Sequence, residues 1–252
     1  MDGPFKRVVI IPDVHGRSFW KNIVNENPLE DTDFFVFLGD YCDSFVETNK
    51  DILDNLKDII EFKKTNMEKV ILLLGNHDIQ YSEVKFNEKN PYLCSGYRME
   101  MHPDLYEMFS SRDNRELFQT AFQLSNYIFT HAGISSNWFF NRFYGNRDAN
   151  IADQLNEVSN RDSYKALFDV GYYRGGPYPQ GGPYWCDKSE LEKPLGGYVQ
   201  VVGHTRGNSI KIRSKSKSLI WFVDCIPDSF NEKQLEYLTL DIDGEYPFKM
   251  DE

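Results

Sequence analysis

Apolar residues fall into short blocks along the chain, and many of these blocks lack the alternation of a strand with one wet face. Runs suited to buried strands are Val8 to Ile11, Phe34 to Leu38, Val70 to Leu74, Tyr127 to Phe129, Val199 to Val202, Leu219 to Val223 and Tyr237 to Leu240. They are rich in Val, Ile and Phe, as strands covered on both faces tend to be. Between them the period changes to that of a helix. In "TNKDILDNLKDIIEFKK" (48–64), Ile52, Leu56, Ile59 and Ile60 share one stripe, and Thr48 with Asp51 has capping-box spacing. Weaker helical patterns cover about 18–26, 104–124 and 149–168. Strands alternating with helices in the first half predict an α/β fold, and the closely spaced strands after residue 198 predict a more antiparallel second sheet.

Five of the apolar blocks end in the same kind of polar signature. "IPDVHG" (11–16) delivers Asp13 and His15, "GDYCD" (39–43) Asp40 and Asp43, and "GNHD" (75–78) Asn76, His77 and Asp78. "THAG" (130–133) delivers His131 and "GHTR" (203–206) His204, so four of the five histidines stand at strand exits. The fifth, His102 before Pro103, reads as a surface residue. Ligands of open α/β sheets gather beyond the carboxyl ends of the strands, and glycine there lets backbone approach them closely. Imidazole, carboxylate and amide oxygen are the donors that borderline divalent metals take, and one shared carboxylate can bridge two ions. Without cations, so many acids in one cleft would repel. Each motif alone is weak, since a turn or a helix cap explains it as well; their joint recurrence carries the metal reading.

Composition narrows the picture. A chain of 252 residues suits one domain spanning 1–252 with a full core. No stretch approaches the ~20 apolar residues of a membrane helix, and the N-terminus lacks the apolar segment of a secretion signal. A cytoplasmic location is expected, with Cys42, Cys94, Cys186 and Cys225 as reduced thiols. Cys42, although inside a motif, reads as a packing residue. The net charge of -11 opposes non-specific binding to nucleic acid or an anionic membrane, but not binding of a small anion beside bound cations. The period-two basic stretch "KIRSKSKS" (211–218) reads as a solvated strand face. "YYRGGPYPQGGPYW" (172–185) is too aromatic for a flexible linker and reads as a functional loop. Tyr81, Phe86, Tyr92 and Tyr97 are candidates either to roof the cleft or to cover the sheet.

The ordered series D-x-H-G, G-D-x-x-D, G-N-H-[DE], H-[AG]-G and G-H-x, over about residues 8–205, resembles the calcineurin-like metallophosphoesterases. It is nearest the branch of serine/threonine phosphoprotein phosphatases. The resemblance implies two facing mixed β-sheets flanked by helices, with specificity loops at 79–125 and 171–197. It further implies that Asp13 and His15 hold a first metal, that Asp40 bridges, and that Asn76, His131 and His204 hold a second. The ions would be manganese, iron, zinc or nickel, with manganese favoured. A hydroxide between them, its parent water brought toward a pKa of ~7, would attack the phosphoester. His77 would protonate the leaving oxygen, oriented by Asp43, which favours the imidazolium form.

Two departures affect the phosphate grip. Ser44 stands where the family carries an arginine, and "PYWCDK" offers Asp187 where a second arginine is usual. Arg17, Arg174 and Arg206 are the candidate replacements, because a planar guanidinium matches phosphate oxygens. Arg206 occupies the place where many phosphodiesterases of the family carry a further histidine. The expectation is a phosphomonoesterase acting on a phosphoprotein or a small phosphorylated metabolite. The rivals are a phosphodiesterase or dinucleoside polyphosphate hydrolase, and a non-catalytic scaffold, which would be expected to erode its ligands.

Overall fold

A computed structural model describes residues 5–215, 217–228 and 235–243. The parallel core of the first sheet is built from β1 (Lys6–Ile11), β2 (Phe34–Phe37), β3 (Val70–Leu73) and β4 (Phe118–Gln119), with β10 (Thr239–Ile242) antiparallel on the outside of β1. The second sheet runs β5-β6-β7-β9-β8, formed by β5 (Ala121–Leu124), β6 (Tyr127–Thr130), β7 (Val199–Val202), β8 (Lys211–Lys215) and β9 (Ser218–Phe222). Its centre is parallel and its two edges are antiparallel hairpins, so the second sheet is the more antiparallel one, as predicted. The last expected strand lies two residues later than its apolar run suggests.

The missing alternation now has a cause. Val8, Ile10 and Val36 face one way, against Phe129, Val201 and Val223 of the second sheet. Val9, Ile11, Phe35 and Phe37 face the other way, against α1 (Trp20–Glu26) and α2 (Asn49–Thr65). Beyond the second sheet, Ile128 packs with Trp138 and Phe139 of α5 (Ser136–Asn141) and with Ile151 and Leu155 of α6 (Ile151–Asn156). The layers are therefore helix, sheet, sheet, helix, and each buried Val or Ile contributes roughly 1.5 to 3 kcal/mol relative to exposure. α2 behaves as its sequence predicts: Thr48 Oγ1 accepts from the Asp51 N–H at 3.2 Å, and Ile52, Leu56, Ile59 and Ile60 are buried.

Three local expectations need correction. The 104–124 pattern is not one helix: α4 (His102–Ser110) ends, a turn at Asn114 intervenes, and 118–124 pair as strands with β3 and β6. Pairing to two sheets overrides the local periodicity there. The 149–168 pattern splits into α6 and α7 (Arg161–Ala166), because Asn160 turns to cap α7 with its side chain. His102 is not on the surface. It is buried, with Nε2 2.7 Å from the Val84 carbonyl and Nδ1 2.8 Å from the Tyr97 hydroxyl, and it fastens the segment after α3 (Asn76–Ser82) to α4. Among the described residues, no helix is long and apolar enough to cross a membrane.

Candidate dinuclear metal centre

Because β1, β2 and β3 are parallel, Asp13, Asp40 and Asn76 leave the first sheet at one edge. β6 and β7 bring His131 and His204 to the same place from the second sheet. Two groups of donor atoms result, Asp13 with His15 and Asp40, and Asp40 with His131 and His204. Within each group the atoms lie within 4.8 Å of one another, and Asp40 belongs to both. Asn76 joins the second group through its Oδ1, 2.9 Å from His131 Nε2.

The hydrogen-bond chemistry of these atoms shows what is required between them. His131 Nδ1 lies 2.9 Å from the Leu38 carbonyl, which can only accept, so Nδ1 carries the ring proton and Nε2 presents a lone pair. That lone pair faces Asn76 Oδ1 at 2.9 Å and Asp40 Oδ2 at 3.4 Å, both acceptors. His204 Nδ1 is a further 3.1 Å neighbour, and its buried Nε2 has no hydrogen-bond partner. The first group repeats the arrangement. His15 Nδ1 points at the carbonyls of Asp43 (3.0 Å) and Cys42 (3.2 Å), which leaves Nε2 as a lone pair 3.7 Å from Asp40 Oδ2. Acceptors facing acceptors in a buried site repel unless a cation lies among them, so the donor set fits two divalent ions.

The backbone is bent to serve this site. His15, Asp40, Asp43 and His204 adopt positive φ of 48°, 51°, 58° and 62°, four of the eight non-glycine residues with positive φ among the described residues. Such conformations cost ~1 to 3 kcal/mol each and persist where function over-determines them. Two glycines permit the close approach: a Cβ on Gly203 would lie 2.1 Å from Asp13 Oδ1, and one on Gly75 2.1 Å from Asp40 Oδ1. Asp78 fastens the exits of β2 and β3, accepting from the Tyr41, Cys42 and Gly75 N–H groups. Burial and then the nearby Asp40 charge push its carboxyl up to about 7.

Electrostatics separate the two aspartates. Burial raises Asp13 well above the usual carboxylate range, with Asp224 adding to the effect. At Asp40 burial acts the same way but is outweighed by the positive charge that His131, His77, His15 and His204 carry when protonated, a charge that bound cations would supply once the rings are neutral. Burial lowers the His15 imidazole to about 4 and that of His204 well below its usual value, which favours the neutral, ligating form.

His77 differs from His15 and His204. Burial opposes its protonation, but Asp40, the hydrogen bond to Asp43 and the Cys94 thiol together hold its pKa well above 6.5. Its Nδ1 is 2.9 Å from Asp43 Oδ2. Asp43 is itself fixed, taking the Tyr81 hydroxyl on Oδ1 at 2.5 Å and the Gln80 amide on Oδ2. Tyr81 in turn accepts the Arg98 N–H at 2.8 Å.

Asp13, His15, Asp40, Asn76, His77 and His204 line a cleft of about 910 Å³, together with Tyr92 and Cys94 from one loop and Arg174, Tyr178 and Trp185 from another. Of the aromatic candidates only Tyr92 lines the cleft. Tyr81 stacks on Tyr97 at 5.2 Å, and Phe86 packs beside His102. Arg174 and Arg206 both border the cleft. Arg174 Nη2 donates to Thr205 Oγ1 at 2.6 Å, and its Nε is 2.9 Å from Asp187 Oδ2, so the aspartate standing in the family arginine's place anchors another arginine. Arg206 Nη1 donates to Asp228 at 2.6 Å, with Asp224 at 3.8 Å from its Nε. Arg17 lies apart from them: its guanidinium is buried and donates to the carbonyls of Asp13, Val14, Ile226 and Pro227, and it is not among the residues that line the cleft.

Sequence reasoning missed Gln80 and Asp224, and it gave Tyr81 and Cys94 other places, as a roofing or sheet-covering aromatic and as one of four reduced thiols. Gln80 and Tyr81 follow His77 at helical i+3 and i+4 spacing, a signal that was available. Asp224 also leaves a strand, β9, and lines the cleft, buried and with Oδ1 unpartnered. Burial raises its pKa to about 6. Cys94 has no local signal.

This fold and these paired ligand groups define a metal-dependent phosphoester hydrolase. The chain belongs to the calcineurin-like phosphoesterase family, whose sequence model matches residues 6–208. Among solved structures it is similar to the cold-active protein-tyrosine phosphatase of a psychrophilic Shewanella species, with TM-score 0.51, 18% identity, and 85% of this chain covering 70% of that one. It is also similar to a protein serine/threonine phosphatase from Saccharomyces cerevisiae (TM-score 0.44, 15% identity, 87% and 67% covered). A third is a dimetal phosphatase from Danio rerio (0.41, 13%, 95% and 99%). At 18% identity the likeness to the Shewanella structure is one of fold alone. No curated protein matches the sequence.

Proposed function

We propose that the protein is a phosphomonoesterase in which Asp13 and His15 seat one divalent ion, Asn76, His131 and His204 a second, and Asp40 joins the two. The observation that carries this reading is the acceptor-on-acceptor contact of His131 Nε2 with Asn76 Oδ1 at 2.9 Å, beside a carboxylate shared by both donor groups. Manganese is the preferred ion for a set dominated by carboxylate, amide and imidazole. The pair of ions supplies Lewis acidity and a nucleophile usable at neutral pH. The chain does the rest. Asp43 holds His77 Nδ1, fixing the ring and stabilising its charge, and leaves Nε2 to give a proton to the departing oxygen. Arg206 and Arg174, each held by a carboxylate, flank the cleft and neutralise the non-reacting oxygens of a dianionic phosphate.

A monoester carries one more negative charge than a diester, and two arginines beside the metal ligands suit it. The occurrence of Arg206 where diesterases of the family carry a histidine supports the same choice. A phosphoprotein and a small phosphorylated metabolite both fit a cleft of this size. The four free cysteines suit the reducing cytoplasm. The test compares turnover of an aryl phosphate with that of the matching aryl phosphodiester on manganese-loaded protein. Preference for the monoester is expected, and activity confined to the diester overturns the proposal.

A further inference from the structure

Cys94 has no part in the ligand set or the acid pair, yet it stands where they meet. Its Sγ is 3.6 Å from His77 Nδ1, and one donor atom each from Asp43, His77 and Cys94 lies within 4.8 Å of the other two. The three come from separate segments: the exit of β2, the first turn of α3 and the loop that follows it. Their approach is built rather than incidental. The Cys94 N–H donates to Gln80 Oε1 at 3.0 Å, and the same Gln80 side chain donates to Asp43. Two residues on, Gly96 at φ +88° lies so close that a Cβ there would be 3.1 Å from Asp43 Cβ. All three side chains line the cleft, so a cation and a fourth, water ligand reach them from the solvent side.

We propose that Asp43, His77 and Cys94 form a third metal site, selective for zinc-class ions, at which binding arrests catalysis. Thiolate, imidazole and carboxylate together are a zinc donor set, whereas manganese favours oxygen and disfavours sulfur. Tetrahedral bonds of ~2.0 to 2.3 Å place donor atoms ~3.3 to 3.6 Å apart. The Nδ1–Sγ separation of 3.6 Å already has this value, and the 2.9 Å between Nδ1 and Asp43 Oδ2 has only to open by a few tenths of an ångström. Binding sends the thiol proton and the Nδ1 proton to solvent, as metal ligation requires deprotonated donors. The ring that remains is neutral, and it keeps its last proton on Nε2. Such a ring no longer delivers a proton near neutral pH, so the acid is withdrawn while the two catalytic ions stay in place. The inhibitory consequence rests on the proposed role of His77; the site itself does not.

The experiment titrates manganese-loaded protein with cadmium, a softer mimic of zinc whose bonds to thiolate absorb in the ultraviolet. The expected result is a charge-transfer band that saturates at about one cadmium per chain. It should shrink at least tenfold in Cys94→Ser and, as a second variant, in His77→Gln. Absence of the band, or a band of wild-type size in Cys94→Ser, overturns the site. Zinc should inhibit alkyl phosphate hydrolysis at a concentration at least tenfold lower in the wild type than in Cys94→Ser, and equal inhibition overturns the regulatory role. Manganese is counted in the same samples. A band with less than about two manganese per chain would defeat the dinuclear reading and leave the third site standing, so the two failures are distinguishable.

Discussion

The floor and the wall of the cleft are built on different principles. On the floor, Asp13, Asp40, Asn76 and His131 are buried, rise from adjacent strand ends and confront one another with lone pairs. On the wall, Arg174 and Arg206 are part-exposed, with side chains 27% and 40% accessible, and each is matched to acids from other loops. Floor carboxylates share their cleft with the lone pairs of amide and imidazole donors and call for metal. Wall carboxylates serve to hold guanidiniums. The same residue type therefore awaits a cation in one region and anchors one in the other, and substitutions in the two should fail differently.

His77 belongs to the floor, and its replacement is the most damaging change that leaves the ligands intact. His77→Ala should retain metal and fold but lose turnover of an alkyl phosphate by about 10³-fold. Unchanged alkyl turnover would remove the acid role. Because the pKa of His77 is raised, its acid form persists through neutral pH and is lost as pH rises through that value. The rate should accordingly show an alkaline limb above pH 6.5, absent from His77→Ala.

Tyr81 tests whether Asp43 needs its own support. Removing a hydrogen bond to a charged group costs ~1.5 to 3 kcal/mol, so Tyr81→Phe should lower kcat roughly tenfold with KM unchanged. The loss should be steeper for alkyl than for aryl leaving groups, since only the former depend on the proton. An equal loss for both would reduce Tyr81 to a structural part.

On the wall the split reverses. Arg206→Ala should raise KM several-fold, roughly threefold to tenfold, with a smaller effect on kcat, measured by steady-state kinetics at low ionic strength. Smallest in activity is Arg17→Lys, which leaves buried carbonyls unmatched. Thermal unfolding should show a loss of ~1 to 3 kcal/mol while KM stays at the wild-type value. A raised KM in Arg17→Lys would put that side chain back among the substrate contacts.

What could be read from the chain follows the same division. The floor was legible because each of its residues sits two to four positions beyond an apolar run, so local sequence order carries spatial order once parallel strands share an edge. Its strained φ values were not legible, except through the glycines at 75 and 203 that accommodate the carboxylates. The wall was legible only as residue type. Nothing local distinguishes Arg17, turned onto four carbonyls, from Arg206, turned toward the cleft. Cys94 was out of reach for a similar reason, as a loop of no regular period places it beside His77 through Gln80. His102 was misplaced because a histidine before proline says nothing of Tyr97 and Val84, the partners that bury it.

The central claim is that Asp40 joins two cations, and manganese stoichiometry paired with magnetic resonance tests it most directly. The wild type should bind about two manganese ions per chain with the exchange-coupled spectrum of a bridged pair, and Asp40→Asn should bind about one or fewer, uncoupled. Two ions without coupling in the wild type, or an unaltered coupled pair in Asp40→Asn, would contradict it.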